Sequence, residues 1–219
     1  MWFIILVKEM FKLENLIDLT QTIEDCMPVY PGDMKTNLVQ TEYLNVNSYN
    51  NHRLEIGMHA GTHIDSPMHL TETMEYISEI PLDSFIGEGC IIDVRNQSII
   101  KMKPEYENLI KENSIVLLYT GLDEVYGTSQ YYEEHPIIDI EFCKFLIRKN
   151  IKIIGMDIPS PDRYPFEIHK MLLQSKVYII ENLTNLHRLL KVEGFEVIAF
   201  PLKIKADGSM ARVVARVIS

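Results

Sequence analysis

The sequence predicts an α/β fold: a single domain over residues 1–219 with a mixed sheet and a barrel-like β/α core. The first half holds several short apolar or alternating runs bounded by turn residues, which is the pattern of strands. The second half alternates buried-strand runs with helical ones, as crossover units do when they build a partly parallel sheet. A chain of 219 residues with no internal repeat, low-complexity run or Gly/Ser linker suits one domain with an ample core.

The elements follow in chain order. Residues 1–7, Met-Trp-Phe-Ile-Ile-Leu-Val, read as a strand or as an upstream extension before a start at Met10. They do not read as a signal peptide: a positive leader is missing, Lys8 and Glu9 interrupt the run, and no small-residue cleavage site follows. The run is also far below the ~20 apolar residues of a membrane span. Residues 15–20 form a short strand. Tyr30-Pro31-Gly32-Asp33 is a turn, because Pro31 presets its own φ and Gly32 supplies a positive one. Residues 53–59 alternate, with Leu54, Ile56 and Met58 on one face, and residues 90–94 are an apolar strand after Gly89. Residues 114–120 are a buried strand stopped by Gly121. Asp139 caps a helix through about residue 149, with Phe142, Phe145 and Leu146 on one side. Then come a strand at 151–156, a helix at 166–174, and strands at 176–180, 195–200 and 211–218. An Asp207-Gly208 turn precedes the last of these.

Lys plus Arg number 21 and Asp plus Glu 31, a net charge of −10. Such a chain lacks the positive surface that nucleic acid or an anionic membrane requires. Cys26, Cys90 and Cys143 are far apart and form no Cys-x-x-Cys pair, which argues against a disulfide framework and fits a reducing cytoplasm. Each reads as a small buried hydrophobe, and the 11 methionines as core filling.

The concentrated signal is His-Ala-Gly-Thr-His-Ile-Asp-Ser-Pro-Met-His at 59–69, which holds three of the seven histidines. Gly61 and Pro67 oppose a continuous helix. In an extended segment His63 and Asp65 point the same way, and a glycine at 61 lets the backbone turn sharply. Imidazoles beside a carboxylate suit zinc, manganese or iron(II), and one carboxylate can bridge two ions. A water bound there becomes a nucleophile near neutral pH. A histidine left outside the ligand set can move protons.

The pattern His-x-Gly-Thr-His-x-Asp-x-Pro-x-His resembles the signature of the cyclase superfamily, which includes bacterial kynurenine formamidases and isatin hydrolases. Tyr-Pro-Gly-Asp at 30–33, Gly-Met-Asp-Ile-Pro-Ser-Pro-Asp at 155–162, and His169 followed by Glu181 are similar to further family segments. The likeness runs from about Leu16 to the C-terminus. It implies a cyclase-type swivelling β/α/β fold and two divalent ions, zinc or manganese. It implies His59, His63, Asp65, His169 and Glu181 as ligands, with Asp65 and Glu181 bridging. His69 becomes the proton donor and acceptor, and a metal-bound hydroxide the nucleophile. Thr62 and Ser66 either support the ligands or simply form the turn. Without the resemblance, His169 reads as a structural helix histidine and Glu181 as a surface carboxylate at a strand end.

The implied activity is hydrolysis of a small aryl formamide such as N-formylkynurenine. The alternatives are a cyclic, isatin-like amide and a non-catalytic metal-binding protein. Family formamidases carry a tryptophan where Tyr30 stands, so the aromatic wall of the substrate site differs here. Arg163, Tyr164 and Phe166 are loop residues that either shape specificity or lie on the surface. His52, His135 and His187 match no ligand position and read as structural or solvent-facing. The resemblance also implies a homo-oligomer, a dimer or tetramer, with residues 1–7 available to pack at its interface.

Overall fold

The computed structural model describes residues 15–218. Twelve strands are present among them. They are β1 (Leu16–Asp18), β2 (Asn37–Glu42), β3 (Asn51–Glu55), β4 (His63–Asp65), β5 (Ile86–Asp93), β6 (Ile99–Ile100), β7 (Ile115–Tyr119), β8 (Ile137–Ile138), β9 (Ile153–Met156), β10 (Tyr178–Glu181), β11 (Phe195–Pro201) and β12 (Gly208–Val217). The two longest helices are α1 (Ile140–Arg148) and α2 (Glu167–Gln174). None is long and apolar enough to cross a membrane.

The main sheet has the order β1-β12-β11-β5-β7-β9-β10-β4, parallel through β5, β7, β9 and β10 and antiparallel elsewhere. β4 also pairs with the first residues of β12, which closes seven strands into a barrel-like ring with β1 beside it. The α/β fold with a mixed, barrel-like sheet is therefore as the sequence predicts.

Strand alternation sorts the core into two bodies. Ile64, Ile115, Leu117, Ile153, Ile180, Val197 and Val213 pack together on one side of the strands. Val116, Leu118, Ile154 and Ile179 point the other way, against Phe142 and Leu146 of α1 and Ile168 and Leu172 of α2. Asp139 caps α1 as expected, its Oδ1 accepting the N–H groups of Glu141 and Phe142.

Several expectations shift. The strand expected at 53–59 ends at Glu55, and residues 57–62 turn instead. Among the described residues β2 and β3 pair only with each other, and every residue of β3 is exposed. Leu54 therefore faces out, and so do Tyr43, Leu44, Val46 and Tyr49 around the hairpin tip. β12 begins at Gly208, three residues before the expected start, because it must reach β4. Cys90 and Cys143 are buried, but Cys26 is exposed in a turn at φ 56°. Residues 1–7 lie outside the described residues.

Candidate metal centre

The centre forms where β4, β10 and the start of β12 meet. Across the antiparallel β4–β10 pair, His63 stands opposite Glu181 and Asp65 opposite Ile179. Opposed residues share a sheet face. His63, Asp65 and Glu181 thus project together, while Ile64 and Ile180 take the other face. His59 enters from the turn ahead of β4. There Gly61 adopts φ +64°, and a Cβ on it would lie 2.9 Å from Met27 Cε. His69 ends a 3-10 turn at Pro67–His69. His169 sits in the first turn of α2, where Asp162 Oδ2 accepts the N–H groups of Ile168 (2.6 Å) and His169 (3.3 Å).

Six side chains converge. His63 Nε2 lies 3.4 Å from both Asp65 Oδ1 and Glu181 Oε2. His169 Nε2 lies 3.2 Å from Glu181 Oε1 and 3.8 Å from Asp65 Oδ2. His59 Nδ1 lies 2.8 Å from Asp65 Oδ1. Two ligand-sized groups result, His59–Asp65–His69 and His63–Asp65–Glu181, with Asp65 common to both. His63, Asp65, His169 and Glu181 are buried, so Glu181 is not the surface carboxylate its local sequence suggests.

The donor set fits a cation. His63 Nδ1–H donates to the Gly61 carbonyl at 2.8 Å, and His169 Nδ1–H to Asp162 Oδ1 at 2.6 Å. His59 Nε2 meets Asp207 Oδ2 at 3.0 Å. Each ring thereby has an outer acceptor for one nitrogen and turns the other inward, the arrangement that orients ligating imidazoles. Among the described residues His63 Nε2 and Asp65 Oδ2 are buried without a hydrogen-bond partner, a costly state that a metal ion would relieve.

The electrostatics agree. Burial alone would lower the imidazole pKa values. Asp65 and Glu181 outweigh it at His63, raising it to about 10, and Asp162 and Glu181 do the same at His169, also to about 10. His59 rises to about 9 through Asp207 and Asp65, against burial. Burial would raise the Asp65 carboxyl, yet His63 and His59 hold it well below the usual range. The pocket attracts positive charge, which protons supply when no metal does.

A cavity of about 290 Å³ opens on the centre, and its lining includes the aromatic rings of Tyr30, Tyr126, Tyr132 and Phe166. Tyr30 and Tyr132 meet edge to face with centroids 5.8 Å apart. Phe166 holds left-handed backbone at φ 61°, and its ring stands edge to face with His169. Of the three loop residues named from sequence, Phe166 alone lines the cavity. Arg163 donates to the carbonyls of Glu133 and His135, and Tyr164 is almost wholly exposed. His52 and His187 are exposed, and His135 is buried against Pro136.

Three residues escaped sequence reasoning. Asp207 accepts from His59 and His69, and the His59 bond, opposed by burial, leads in holding its carboxyl well below the usual range. Asp162 orients His169. Asn182 donates to the Gly61 carbonyl and accepts from the buried Tyr131 hydroxyl. Their signals were an Asp-Gly pair, the end of a Ser-Pro-Asp run and the residue after Glu181, all of which read as ordinary turn residues. Thr62 and Ser66 do brace the site. Thr62 Oγ1 donates to the Asn182 carbonyl and Ser66 Oγ to that of Asp207.

The family model described as Putative cyclase matches residues 17–163. A kynurenine formamidase of Bacillus mycoides (strain KBAB4) is 31% identical over 211 residues, covering 94% of this chain and 99% of the relative. Isatin hydrolase A from Labrenzia aggregata, solved with benzyl benzoate, has a TM-score of 0.82 at 24% identity, covering 98% of this chain and 99% of its own. At that identity the likeness speaks for the fold. A solved potential metal-dependent hydrolase with cyclase activity has a TM-score of 0.72 at 28% identity, covering 93% of this chain and 98% of its own. With the signature segment inside the matched span and a relative similar along nearly its whole length, the chain belongs to the cyclase family.

Proposed function

We propose that the protein is a metal-dependent hydrolase of small amides, and that its substrate is an aryl formamide such as N-formylkynurenine. The observation that carries this reading is the convergence of His59, His63, Asp65, His69, His169 and Glu181 on one point, with Asp65 common to both ligand groups. The named activity of the Bacillus mycoides relative supports the substrate class.

In this reading His59, His63, Asp65, His169 and Glu181 would hold two divalent ions, zinc or manganese, with Asp65 and Glu181 available to both. Bound ions would acidify a water and polarise an amide carbonyl. His69 borders the cavity with its Nδ1 engaged by Asp207. Its Nε2 is left to carry a proton to the departing nitrogen, without which an amine leaves poorly. Tyr30 and Tyr132 offer faces and edges to an aryl ring.

The reading takes residues 1–219 as one domain working in the cytoplasm as a homo-oligomer, dimer or tetramer. The exposed apolar tip of the β2–β3 hairpin supports the oligomer.

Purified protein loaded separately with zinc and manganese, beside a chelated control, tests the activity on N-formylkynurenine. Chelator-sensitive turnover is expected. Its absence in protein of measured metal content rejects this substrate. Tyr30, in place of the tryptophan of similar formamidases, favours a second reading, a cyclic isatin-like amide. Ring opening faster than formamide cleavage would select it. Stoichiometric metal without hydrolysis of either would leave a binding protein.

A further inference from the structure

We infer that Asp207 is a positioning residue that fixes His69 as the Nδ1–H tautomer, with Nε2 turned bare into the cavity. The inference rests on the amide-hydrolase reading and deepens it.

Asp207 Oδ2 lies 3.1 Å from His69 Nδ1 and 3.0 Å from His59 Nε2, so one carboxylate oxygen serves both rings. The rings lie against each other, centroids 4.0 Å apart and planes tilted by 33°. A carboxylate only accepts hydrogen bonds, so the ring nitrogen facing it must carry hydrogen. A neutral His69 then has its lone pair on Nε2.

The carboxylate is placed by main chain. The Asp207 carbonyl accepts Ser66 N–H at 3.0 Å and Ser66 Oγ–H at 2.7 Å. Gly208 pairs in register with Asp65, and a Cβ at 208 would lie 2.9 Å from His59 Cε1. The backbone therefore passes directly against the His59 ring and delivers the preceding side chain to both imidazoles. These backbone contacts do not depend on the Asp207 side chain, which is 38% exposed, so its replacement leaves the fold intact.

The chemistry explains the need. In amide hydrolysis the water oxygen forms a bond to the carbonyl carbon and releases a proton. The C–N bond then breaks, and its electron pair stays on nitrogen, which must gain a proton. His69 Nε2 accepts the first proton and delivers it to that nitrogen, while Nδ1–H stays on Asp207. The products are the acid and the amine, and His69 ends as it began. A ring locked as the other tautomer cannot accept at Nε2.

The test compares Asp207→Asn and Asp207→Ala with the wild type on formanilide and phenyl formate, at equal measured zinc content. A phenolate leaves without a proton, whereas the anilide nitrogen needs one. The anilide kcat should fall about 100-fold, within the reach of general acid–base catalysis, with about tenfold less loss on the ester and little change in KM. Independently of turnover, nitrogen-15 spectra of the imidazoles, with and without zinc, should show His69 as Nδ1–H in the wild type and no longer fixed in Asp207→Asn. Equal losses on both substrates, or an unchanged His69 tautomer in the variant, would overturn the inference. If the wild type cleaves neither compound, the aryl-formamide reading fails, and the His69 spectrum still decides the role of Asp207.

Discussion

Two neighbouring stretches of this chain invert the usual rule of apolar inside and polar outside. Around the tip of the β2–β3 hairpin, Tyr43, Leu44, Val46 and Tyr49 face solvent. A few residues later, His63 and Asp65 are buried with unsatisfied polar atoms. Hydropathy explains neither. The hairpin is exposed because β2 and β3 pair with nothing else among the described residues, and β4 is buried because β10 and β12 enclose it on both edges. In the proposed reading each stretch would be covered by a second body: cations and substrate at β4, another copy of the chain at the hairpin.

The sharpest way to break the comparison is to remove the charge that both ligand groups share. Asp65→Ala should abolish metal binding in equilibrium dialysis. It should also destabilise the chelated protein by about 3 kcal/mol in denaturant titration, since it leaves buried imidazoles without their counter-charge. Metal retained at wild-type affinity would contradict the shared-ligand geometry. His69→Ala should keep the metal yet lower amide turnover by roughly 10²- to 10⁴-fold. Full turnover would remove His69 from the reaction.

The pH dependence sharpens the electrostatic half. In chelated protein, His63 and His169 have folded pKa values raised to about 10 and His59 to about 9, above the ordinary 6.5. Their contribution to stability is full below 6.5 and lost as pH rises through 9 to 10. The lowered Asp65 contributes above 3.8 and loses its effect as pH falls through its depressed value. Thermal stability of the chelated protein should therefore peak between these limits and decline toward pH 10. Metal affinity should rise with pH, because the ions compete with protons for the same nitrogens. A chelated protein most stable at pH 10 would contradict the charge pattern. The smallest effect belongs to the hairpin. Leu44→Ser with Val46→Ser should change monomer stability by less than about 0.5 kcal/mol, as exposed positions do. It should nevertheless lower the assembly mass in light scattering.

The contrast also explains what the sequence made legible. His59, His63, Asp65 and His69 could be read directly because they are contiguous, and a strand's two-residue period aims His63 and Asp65 alike. His169 and Glu181 became legible only through resemblance, since about a hundred residues separate them from the first segment. Asn182 and Asp207 stayed hidden because strand pairing between distant segments sets their partners, whereas Asp162 reaches His169 over only seven residues but lies in a Ser-Pro-Asp run with the composition of a loop. Asp207-Gly208 carries the composition of a turn, and nothing local says that it abuts two imidazoles. The strand expected at 53–59 failed for a related reason: alternation marks a face but does not say whether anything packs on it.

The double pairing of β12 has a consequence for how the protein is made. His59 and Asp207 are 148 positions apart in the chain. At ribosomal speed their synthesis is separated by roughly ten seconds or more. Throughout that interval the histidine segment exists without the strand that seals it, and loose ligands hold metal far more weakly than a finished cage. A chain stopped before β12 would, in the proposed reading, hold metal only weakly. In the proposed reading β12 acts as a clasp, closing the metal site only once it pairs with β4.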